Sequence, residues 1–201
     1  MALVNAYSQD QTALVGGVTL NGLPENPFSA ASQCLVDFVY RYFEANDRGL
    51  RFFTSNNFGG ASAKMRLLGG FDESFPLPAA EDRDLCERWG NLTLAPAAIV
   101  IHRHRLSLGS FWRQHFRYGR GAYTLFLRRG DRGSNRRNPR LNFYTGLLEE
   151  PFRNRSVELP WIVLALLLLS QLAGFCGFAH EASSGASRGR QNGSSHPNTH
   201  A

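Results

Sequence analysis

Cysteine is scarce in this chain of 201 residues, and its three cysteines lie far apart. Cys34, Cys86 and Cys176 form no Cys-x-x-Cys pair, so the spacing indicates neither a disulfide framework nor a cysteine metal site. We therefore expect a protein of a reducing compartment. The first 17 residues also lack a basic segment followed by an apolar one, so we predict no signal peptide.

Acidic residues are fewer than basic ones, 16 against 22, which gives a formal net charge of +6. The excess is uneven, because arginines crowd between Arg103 and Arg155. This concentration of guanidinium groups favours a partner with an anionic surface or with phosphate groups. The hydrophobic share of 43% is typical of a folded protein. When the long apolar segment and the low-complexity tail are subtracted, roughly 150 residues remain, which is enough for one domain.

Chain breakers and hydrophobic periodicity predict a small mixed α/β domain. The predicted strands lie near Thr12, Leu50 and Leu92, and the predicted helices start near Ser32, Glu81 and Ser107. A shorter helix from Lys64 is predicted to stop at Gly69-Gly70, a glycine pair that allows close approach of the backbone to a ligand or a neighbouring element. Pro96 predicts an edge or a bend in the third strand.

The acidic pair Glu81-Asp82 opens the second of the main predicted helices. Asp82 shares helical spacing with apolar residues at 85, 86 and 89, so we expect it on the inward face, whereas we expect the pair Asp84/Arg88 on the outer side. An acid on the inward face of a first turn suits a base that faces a cleft. The alternative is that a first-turn carboxylate only interacts with the helix dipole.

The helix predicted from Ser107 is both basic and aromatic. Such a helix can lie on an anionic membrane surface or hold a pyrophosphate, because arginine binds phosphate oxygens in a bidentate manner. An RNA-binding helix is a weaker alternative, and since no nucleic-acid motif accompanies it, we expect no nucleic-acid partner. A lone histidine such as His102, at the end of the third strand, is more often structural than a metal ligand.

Residues 160–178 form an uncharged apolar run. At about 1.5 Å per residue this run just spans a hydrocarbon core of about 30 Å, so we predict one transmembrane helix; the alternative is a segment buried in the core. Arginines crowd on its N-terminal side, which places the main domain in the cytoplasm. We interpret residues 128–159 as a basic juxtamembrane linker and 179–201 as a disordered tail.

Four linked stretches resemble the inverting family 2 glycosyltransferases, which are membrane-associated bacterial enzymes with the GT-A nucleotide-sugar fold. They read TSNN at 54–57, LGGFDESF at 68–75, EDRDLCERW at 81–89 and HRHRLSLGSFWRQHFRYGRGA at 102–122. The run of linked motifs is more specific than any one of them. The resemblance implies a partial GT-A domain of the α/β class over residues 1–127, followed by the transmembrane helix.

The resemblance also implies an activity, the transfer of a sugar from a nucleotide sugar to a glycan or lipid acceptor with inversion. Asp82 corresponds to the general base that deprotonates the attacking hydroxyl, and Glu81 to a neighbour that binds acceptor or substitutes in that role. The implied substrate-binding residues are Asn56, Asn57, Gly69, Gly70, Gln114, Arg117 and Tyr118. The last three match the QxxRW motif of processive members, with Tyr118 in place of tryptophan. His102 resembles a histidine that contacts metal or diphosphate.

Family members carry, before this region, a nucleotide-binding half with an Asp-x-Asp motif for Mg²⁺ or Mn²⁺. No such pair precedes Thr12, because the single aspartate in that segment, Asp10, stands between Gln9 and Gln11. We therefore expect the acceptor-side half of a glycosyltransferase at the inner or plasma membrane, either incomplete or completed by a separate chain that supplies the nucleotide-binding half. The alternative is a catalytically inert, membrane-anchored protein of the same fold that binds glycans or serves in assembly.

Overall fold

The computed structural model describes residues 1–46, 52–75, 79–133, 141–154 and 157–193, which form a mostly helical α/β structure with a small sheet. Its elements in chain order are α1 (Ala2–Gln9), β1 (Leu14–Asn21), α2 (Pro27–Asn46), β2 (Phe58–Gly59), α3 (Ser62–Leu67), α4 (Glu81–Trp89), β3 (Leu92–His102), α5 (Leu108–Asp131), α6 (Leu141–Arg153) and α7 (Pro160–Gly193). The predicted α/β class is confirmed in this general form.

The sheet has three strands in the order β2-β1-β3, with β1 antiparallel to β2 and parallel to β3. The strands predicted near Thr12 and Leu92 are confirmed. The strand predicted near Leu50 is not found in residues 52–54, and the sheet uses Phe58–Gly59 instead; Leu50 itself lies outside the described residues. The extended run before the TSNN turn packs its phenylalanines into the core without pairing in the sheet, since Phe52 and Phe53 are both buried.

A bulge interrupts the pairing of β1 with β3. Gly16 is paired with Leu94, but Val18 is paired with Ile99, so four residues of β3, including Pro96, lie opposite Gly17. Extra residues in one strand change which face each later side chain occupies. Beyond the bulge, Ile99 is exposed, whereas His102 lines a cavity on the helical side. The predicted bend at Pro96 is therefore confirmed, and it orients the strand ends toward the site described below.

The main core lies between the sheet and the helices α2, α4, α5, α6 and α7. Its largest fully buried side chains are Leu14, Phe53, Leu85, Phe111, Leu147 and Leu167. Helix α1 covers the other face of the sheet, where Leu3 and Tyr7 pack beside Val15 and Ala98. Burial of these apolar side chains is the main stabilising contribution to the fold.

The prediction of a linker over residues 128–159 is wrong for most of its described part. Helix α5 runs on to Asp131, and Leu141–Arg153 forms α6. Phe143 and Leu147, four residues apart, give α6 an apolar face that packs in the core, with Phe143 against Phe38 of α2. Residues 134–140 and 155–156 of that predicted linker lie outside the described residues.

The predicted tail and membrane helix form one continuous helix in the structure. The prediction of disorder from residue 179 is wrong as far as Gly193, because α7 continues to that residue, and Glu181 is bound there by Arg120 of α5 at 2.5 Å. Residues 194–201 lie outside the described part of the chain. Within that part, Pro160–Ser184 is long and apolar enough to cross a membrane.

Helix α7 is also a component of the core. Val163, Leu167, Ser170 and Ala173 are buried along one face, whereas the opposite face exposes its own apolar residues, namely Trp161, Leu168, Leu172 and Phe175. Glycines bring α7 close to α5, since a Cβ on Gly119 would lie 1.9 Å from the carbonyl oxygen of Gly174. The segment thus combines the composition of a membrane helix with one buried face.

Candidate functional site

The acidic pair lies at the start of α4, where the backbone takes an unusual turn. Ala80, the N-cap residue, has φ 72° and is the one described non-glycine residue with a positive φ. Gly121 of α5 permits this turn to pack closely, because a Cβ on it would lie 2.1 Å from the carbonyl oxygen of Ala79. Residues held in such sparsely populated conformations are concentrated at functional sites. The turn fixes the position of Glu81-Asp82 relative to α5.

A cavity of about 360 Å³ opens in front of this pair. The ends of β1 and β3, α2, the TSNN turn, the start of α4 and α5 all contribute to its walls. Six of the residues predicted from the sequence line it together: Asn56, Glu81, Asp82, His102, Gln114 and Tyr118. Residues far apart in the sequence therefore meet in one cleft, and the expected inward orientation of Asp82 is confirmed.

Burial in this cleft raises the pKa of the Asp82 carboxyl above its ordinary value. The Arg83 guanidinium and backbone N–H oppose this shift, the N–H donating to Oδ1 of Asp82 at 2.8 Å, and the Ser55 backbone also binds the carboxyl. Burial likewise raises the pKa of Glu81, and the charge of Asp82 adds to that effect. A carboxylate that is only partly stabilised in its charged form is a better proton acceptor than one in water.

Two phenols lie near the same carboxylate. Burial raises the pKa of Tyr118 and of Tyr40, and the negative charge of Asp82 raises both further. Tyr40 donates toward the hydroxyl of Thr54 and accepts from the Thr54 backbone N–H at 2.8 Å. Tyr118 lines the cavity itself, in the position where the resemblance has a tryptophan. An aromatic face beside a carboxylate is well suited to a ligand with both apolar and hydroxyl surfaces.

The cavity is also lined by Ser32 and Gln33, polar residues of α2 that the sequence did not predict as site residues. Gln33 donates to the carbonyl oxygen of Thr19 at 2.8 Å, and Gln114 donates to the hydroxyl of Ser32 at 3.2 Å. These polar residues of α2 belong to no motif, and their spacing on α2 is that of an ordinary half-buried helix. Only the way in which α2 packs beside α5 brings them into the cleft.

The two adjacent asparagines of TSNN have different environments. Asn56 lines the cavity, and its Oδ1 accepts from the hydroxyls of Thr54 at 2.8 Å and of Thr19 at 3.2 Å. Asn57 is buried, and its Nδ2 donates to the carbonyl oxygens of Val18 at 3.1 Å and Ala98 at 2.9 Å. The amide of Asn57 therefore joins β1 to β3 at the bulge, and the structure does not bring it to the cleft.

Gly69-Gly70, predicted to bind substrate, also lies outside the cavity walls. Both glycines have a positive φ, of 77° and 69°, and they end α3 as predicted. Arg88 binds this turn, donating to the carbonyl oxygens of Leu68 at 2.6 Å and Gly70 at 2.7 Å. The glycine pair thus serves the positive φ of this turn and not a close approach, because a Cβ added to either glycine would meet no atom within 4 Å.

The expectation that Asp84 lies on the outer side of α4 is wrong. Its side chain is fully buried and is bound by Arg88 at 2.7 Å and by Arg132 of the α5 C-terminus at 2.7 Å. The helical spacing alone could not show this, because the end of α5 folds over a face of α4 that would otherwise meet solvent. A buried carboxylate needs such partners to offset its loss of hydration.

His102 does not form a metal site with its described neighbours. Its ring lies 5.3 Å from the ring of His104, centroid to centroid, and imidazole is not a ligand that Mg²⁺ prefers. Within the part of the chain that the structure describes, no group of three or more His, Cys, Asp or Glu residues is arranged to hold a metal ion. These residues do not fit a Mg²⁺ or Mn²⁺ site, and we derive no chemical step through a metal.

Arg117, the remaining predicted residue, lies beside the main cavity. It lines a second cavity that shares His104, Leu106, Gln114 and Tyr118 with the first. The guanidinium therefore lies near the cleft but not in the wall that holds Asp82.

Comparisons of this chain with models of protein families, with curated proteins and with solved structures found no match.

Proposed function

We propose that this chain is the acceptor-side part of an inverting glycosyltransferase of the GT-A type, with Asp82 as the general base. The observation that carries the proposal is the cavity at the start of α4, in which Asp82 meets Asn56, Gln114 and Tyr118. All four residues belong to the stretches through which the sequence resembles family 2 glycosyltransferases. Their convergence supports the proposal because residues from three separate motifs of the sequence line one cavity.

In the proposed reaction a sugar hydroxyl of the acceptor is the nucleophile. Such a hydroxyl is a poor nucleophile until a positioned carboxylate accepts its proton during attack. The raised pKa of Asp82 suits this task, and Asn56 and Gln114 offer amide groups that can orient the other hydroxyls of the acceptor. A single in-line displacement at the anomeric carbon then forms the new glycosidic bond, breaks the bond to the diphosphate oxygen, inverts the configuration of the donor sugar and releases the nucleoside diphosphate.

The donor is a nucleotide sugar, and the acceptor is a glycan or a lipid. We propose that the protein acts at the cytoplasmic face of the inner or plasma membrane, with α7 as a single membrane pass. The apolar composition of Pro160–Ser184 supports contact with a membrane, and the many arginines before it favour a cytoplasmic domain. A separate chain that carries a nucleotide-binding half, together with Mg²⁺ or Mn²⁺, is the predicted partner for donor binding.

Transfer from a panel of radiolabelled nucleotide sugars tests the proposal. The purified full chain is assayed alone and together with the protein encoded directly upstream, each with Mg²⁺ and Mn²⁺. We expect a labelled glycan or glycolipid product that Asp82→Asn reduces by about 10²–10⁴-fold, the usual contribution of a general base. The matched control is Glu149→Gln, which alters an exposed carboxylate of α6 that lines neither described cavity and should leave transfer unchanged.

Two results would contradict the proposal. Transfer that survives Asp82→Asn would remove the assigned base. Glycan binding without turnover under every condition would instead support the inert binding or assembly protein of the same fold.

A further inference from the structure

We infer that α6 lies in the membrane interface, at the membrane face where α7 begins, and that an exposed apolar stripe of this helix contacts lipid. The α6 stripe consists of Leu141, Tyr144, Leu148 and Phe152, which follow one another at spacings of three and four residues and so share one side of the helix. The inference rests on the proposed membrane location of the protein, but it is independent of the transfer reaction.

Helix α6 has two apolar faces, although packing in the domain needs only one. Phe143 and Leu147 form the first face and are buried in the core. The buried carboxylate of Glu150 is bound by Arg41 of α2, which also holds α6 on the domain. The α6 stripe forms the second face, and three of its four residues are exposed, with Leu141 at 79%. The fold of the described residues therefore leaves the second face open.

The α6 stripe continues into the start of α7. The ring of Phe152 lies 4.8 Å from the ring of Trp161, centroid to centroid, in a T-shaped contact. Trp161 is 73% exposed, and it stands in the first turn of the helix that is long and apolar enough to cross a membrane. Leu159, between the two helices, is exposed as well. A contiguous apolar surface of this kind marks an interaction site, and this one adjoins the segment with the composition of a membrane helix.

The chemistry of the α6 stripe and of its neighbours in the sequence favours lipid over a protein partner. Tyr144 and Trp161 each carry a polar group on an apolar ring, and such residues are enriched at the boundary between hydrocarbon and water. Residues 134–140, directly before α6 in the chain, include three arginines and no acid, and basic segments of this kind attract anionic lipid headgroups. Helices that lie in a bilayer interface combine these two features, an apolar side and nearby basic residues.

A tryptophan placed in the α6 stripe reports whether the stripe contacts lipid. The full chain, with Trp161→Phe to remove the native tryptophan at this surface, is reconstituted into vesicles of phosphatidylcholine and phosphatidylglycerol that contain brominated phosphatidylcholine. In the variant Tyr144→Trp we expect bromine to quench the added tryptophan. Bromine near the headgroup should quench more than bromine near the chain end, because an interfacial helix inserts only about 5–10 Å.

The matched control is Leu67→Trp in the same Trp161→Phe chain. Leu67 is an apolar residue of α3 that is 86% exposed and lies outside the α6 stripe. We expect at least about twofold greater quenching of the added tryptophan in Tyr144→Trp than in Leu67→Trp, because only the former should contact lipid. Trp89 and Trp112 remain in both proteins and contribute equally, and circular dichroism confirms that both are folded.

Three results would overturn the inference. Equal quenching in the two variants, while the chain floats with the vesicles, would refute the lipid contact of α6 alone. A chain that does not float with the vesicles would contradict the proposed membrane location as well. Cross-linking of Thr145→Cys to itself by a short bismaleimide, beyond that of the unchanged chain and without quenching in Tyr144→Trp, would assign the α6 stripe to a second copy. Failure of transfer in every assay, with Tyr144→Trp quenched as expected, would refute the enzyme and leave the interfacial helix supported.

Discussion

Arg88 donates from its Nε to the buried carboxylate of Asp84 at 2.7 Å, and its two other nitrogens bind the turn that contains Gly69 and Gly70. One side chain thus connects α4, which carries the acidic pair, to the end of α3. The glycine turn and the proposed base are held in a fixed relation by this contact, although the glycines do not touch the cleft.

Replacement of Arg88 by alanine should lower the free energy of unfolding by about 3 kcal/mol, because it leaves the buried Asp84 carboxylate with Arg132 as its one remaining described cation. Urea unfolding in detergent measures the change. The control is Arg153→Ala, which breaks an i,i+4 pair with the exposed Glu149 and should cost less than about 0.5 kcal/mol. Equal losses in the two variants would show that burial does not strengthen the Asp84 contact.

Replacement of Gly121 by alanine should displace the turn before the acidic pair, because the added methyl group would meet the carbonyl oxygen of Ala79 at 2.1 Å. Overpacking of this kind costs about 1–3 kcal/mol. We also expect reduced transfer activity, since Asp82 follows the displaced Ala80. Gly109 lies on the same helix with open space around it, so Gly109→Ala should have a neutral or slightly stabilising effect. Thermal unfolding and activity of the two variants provide the comparison.

The adjacent asparagines should respond differently to alanine. Asn57→Ala leaves the carbonyl oxygens of Val18 and Ala98 without the amide that now binds them, so we expect a loss of about 1–3 kcal/mol in the free energy of unfolding. Asn56→Ala should leave stability nearly unchanged and raise KM for the acceptor. The assignments of these two residues would be reversed if Asn56→Ala proved the more destabilising change.

The stability of the protein should fall as the pH decreases from about 6.5 to about 4. Burial lowers the pKa of His115 from 6.5 to about 4, so in this range the unfolded chain binds a proton that the folded chain does not. The free energy of unfolding is then expected to decrease by up to about 3 kcal/mol. His115→Leu should flatten this part of the pH profile, whereas His102→Gln, which changes an exposed histidine, should not. A slope that is unchanged in His115→Leu would contradict the assignment.

The pH dependence of transfer should reflect the raised pKa of Asp82. Because the base must be deprotonated, kcat/KM should fall on the acid side at a pH above the ordinary aspartate value near 3.9. The folded state also binds this proton more tightly than the unfolded state does, so ionisation of Asp82 at neutral pH costs stability. Asp82→Asn should therefore unfold at a higher temperature than the unchanged chain at pH 7. A lower unfolding temperature would indicate that the Asp82 carboxylate is stabilising, contrary to the effect of its burial.

Local signals in the sequence were sufficient for the elements that make the cleft. Glu81 follows a run of breakers and opens α4 as predicted, and Ser107 caps α5 with a reciprocal hydrogen bond to Ser110. The motif residues Gln114 and Tyr118 then lie four residues apart on that helix, and both line the cleft. Each of these features depends on residues within one or two turns, which is why a sequence pattern can predict it.

Contacts between distant segments account for what the sequence could not predict. Asp84 is buried because Arg132 and the end of α5 cover it, and Asn57 binds the sheet because the bulge leaves the carbonyl oxygens of Val18 and Ala98 within its reach. The second cavity needs α5 to pack beside the segment that contains His104. The hydrophobic periodicity of a helix does not show which of the polar faces of that helix another element will cover.

The close packing of α5 on α7 has a consequence for membrane insertion. Helix α5 contacts α7 through Gly119 and through the ion pair of Arg120 with Glu181, so a bilayer-spanning α7 that kept these contacts would carry the middle of α5 toward the hydrocarbon. An arginine at the centre of a bilayer costs about 2.5–3.5 kcal/mol on insertion scales. A crossing that keeps these contacts would therefore cost free energy, and separation of α7 would remove a packing partner from the helix that supplies Gln114 and Tyr118 to the cleft. The bilayer and α5 would then compete for contact with α7. The shape of the cleft would in this way depend on the depth of α7 in the membrane.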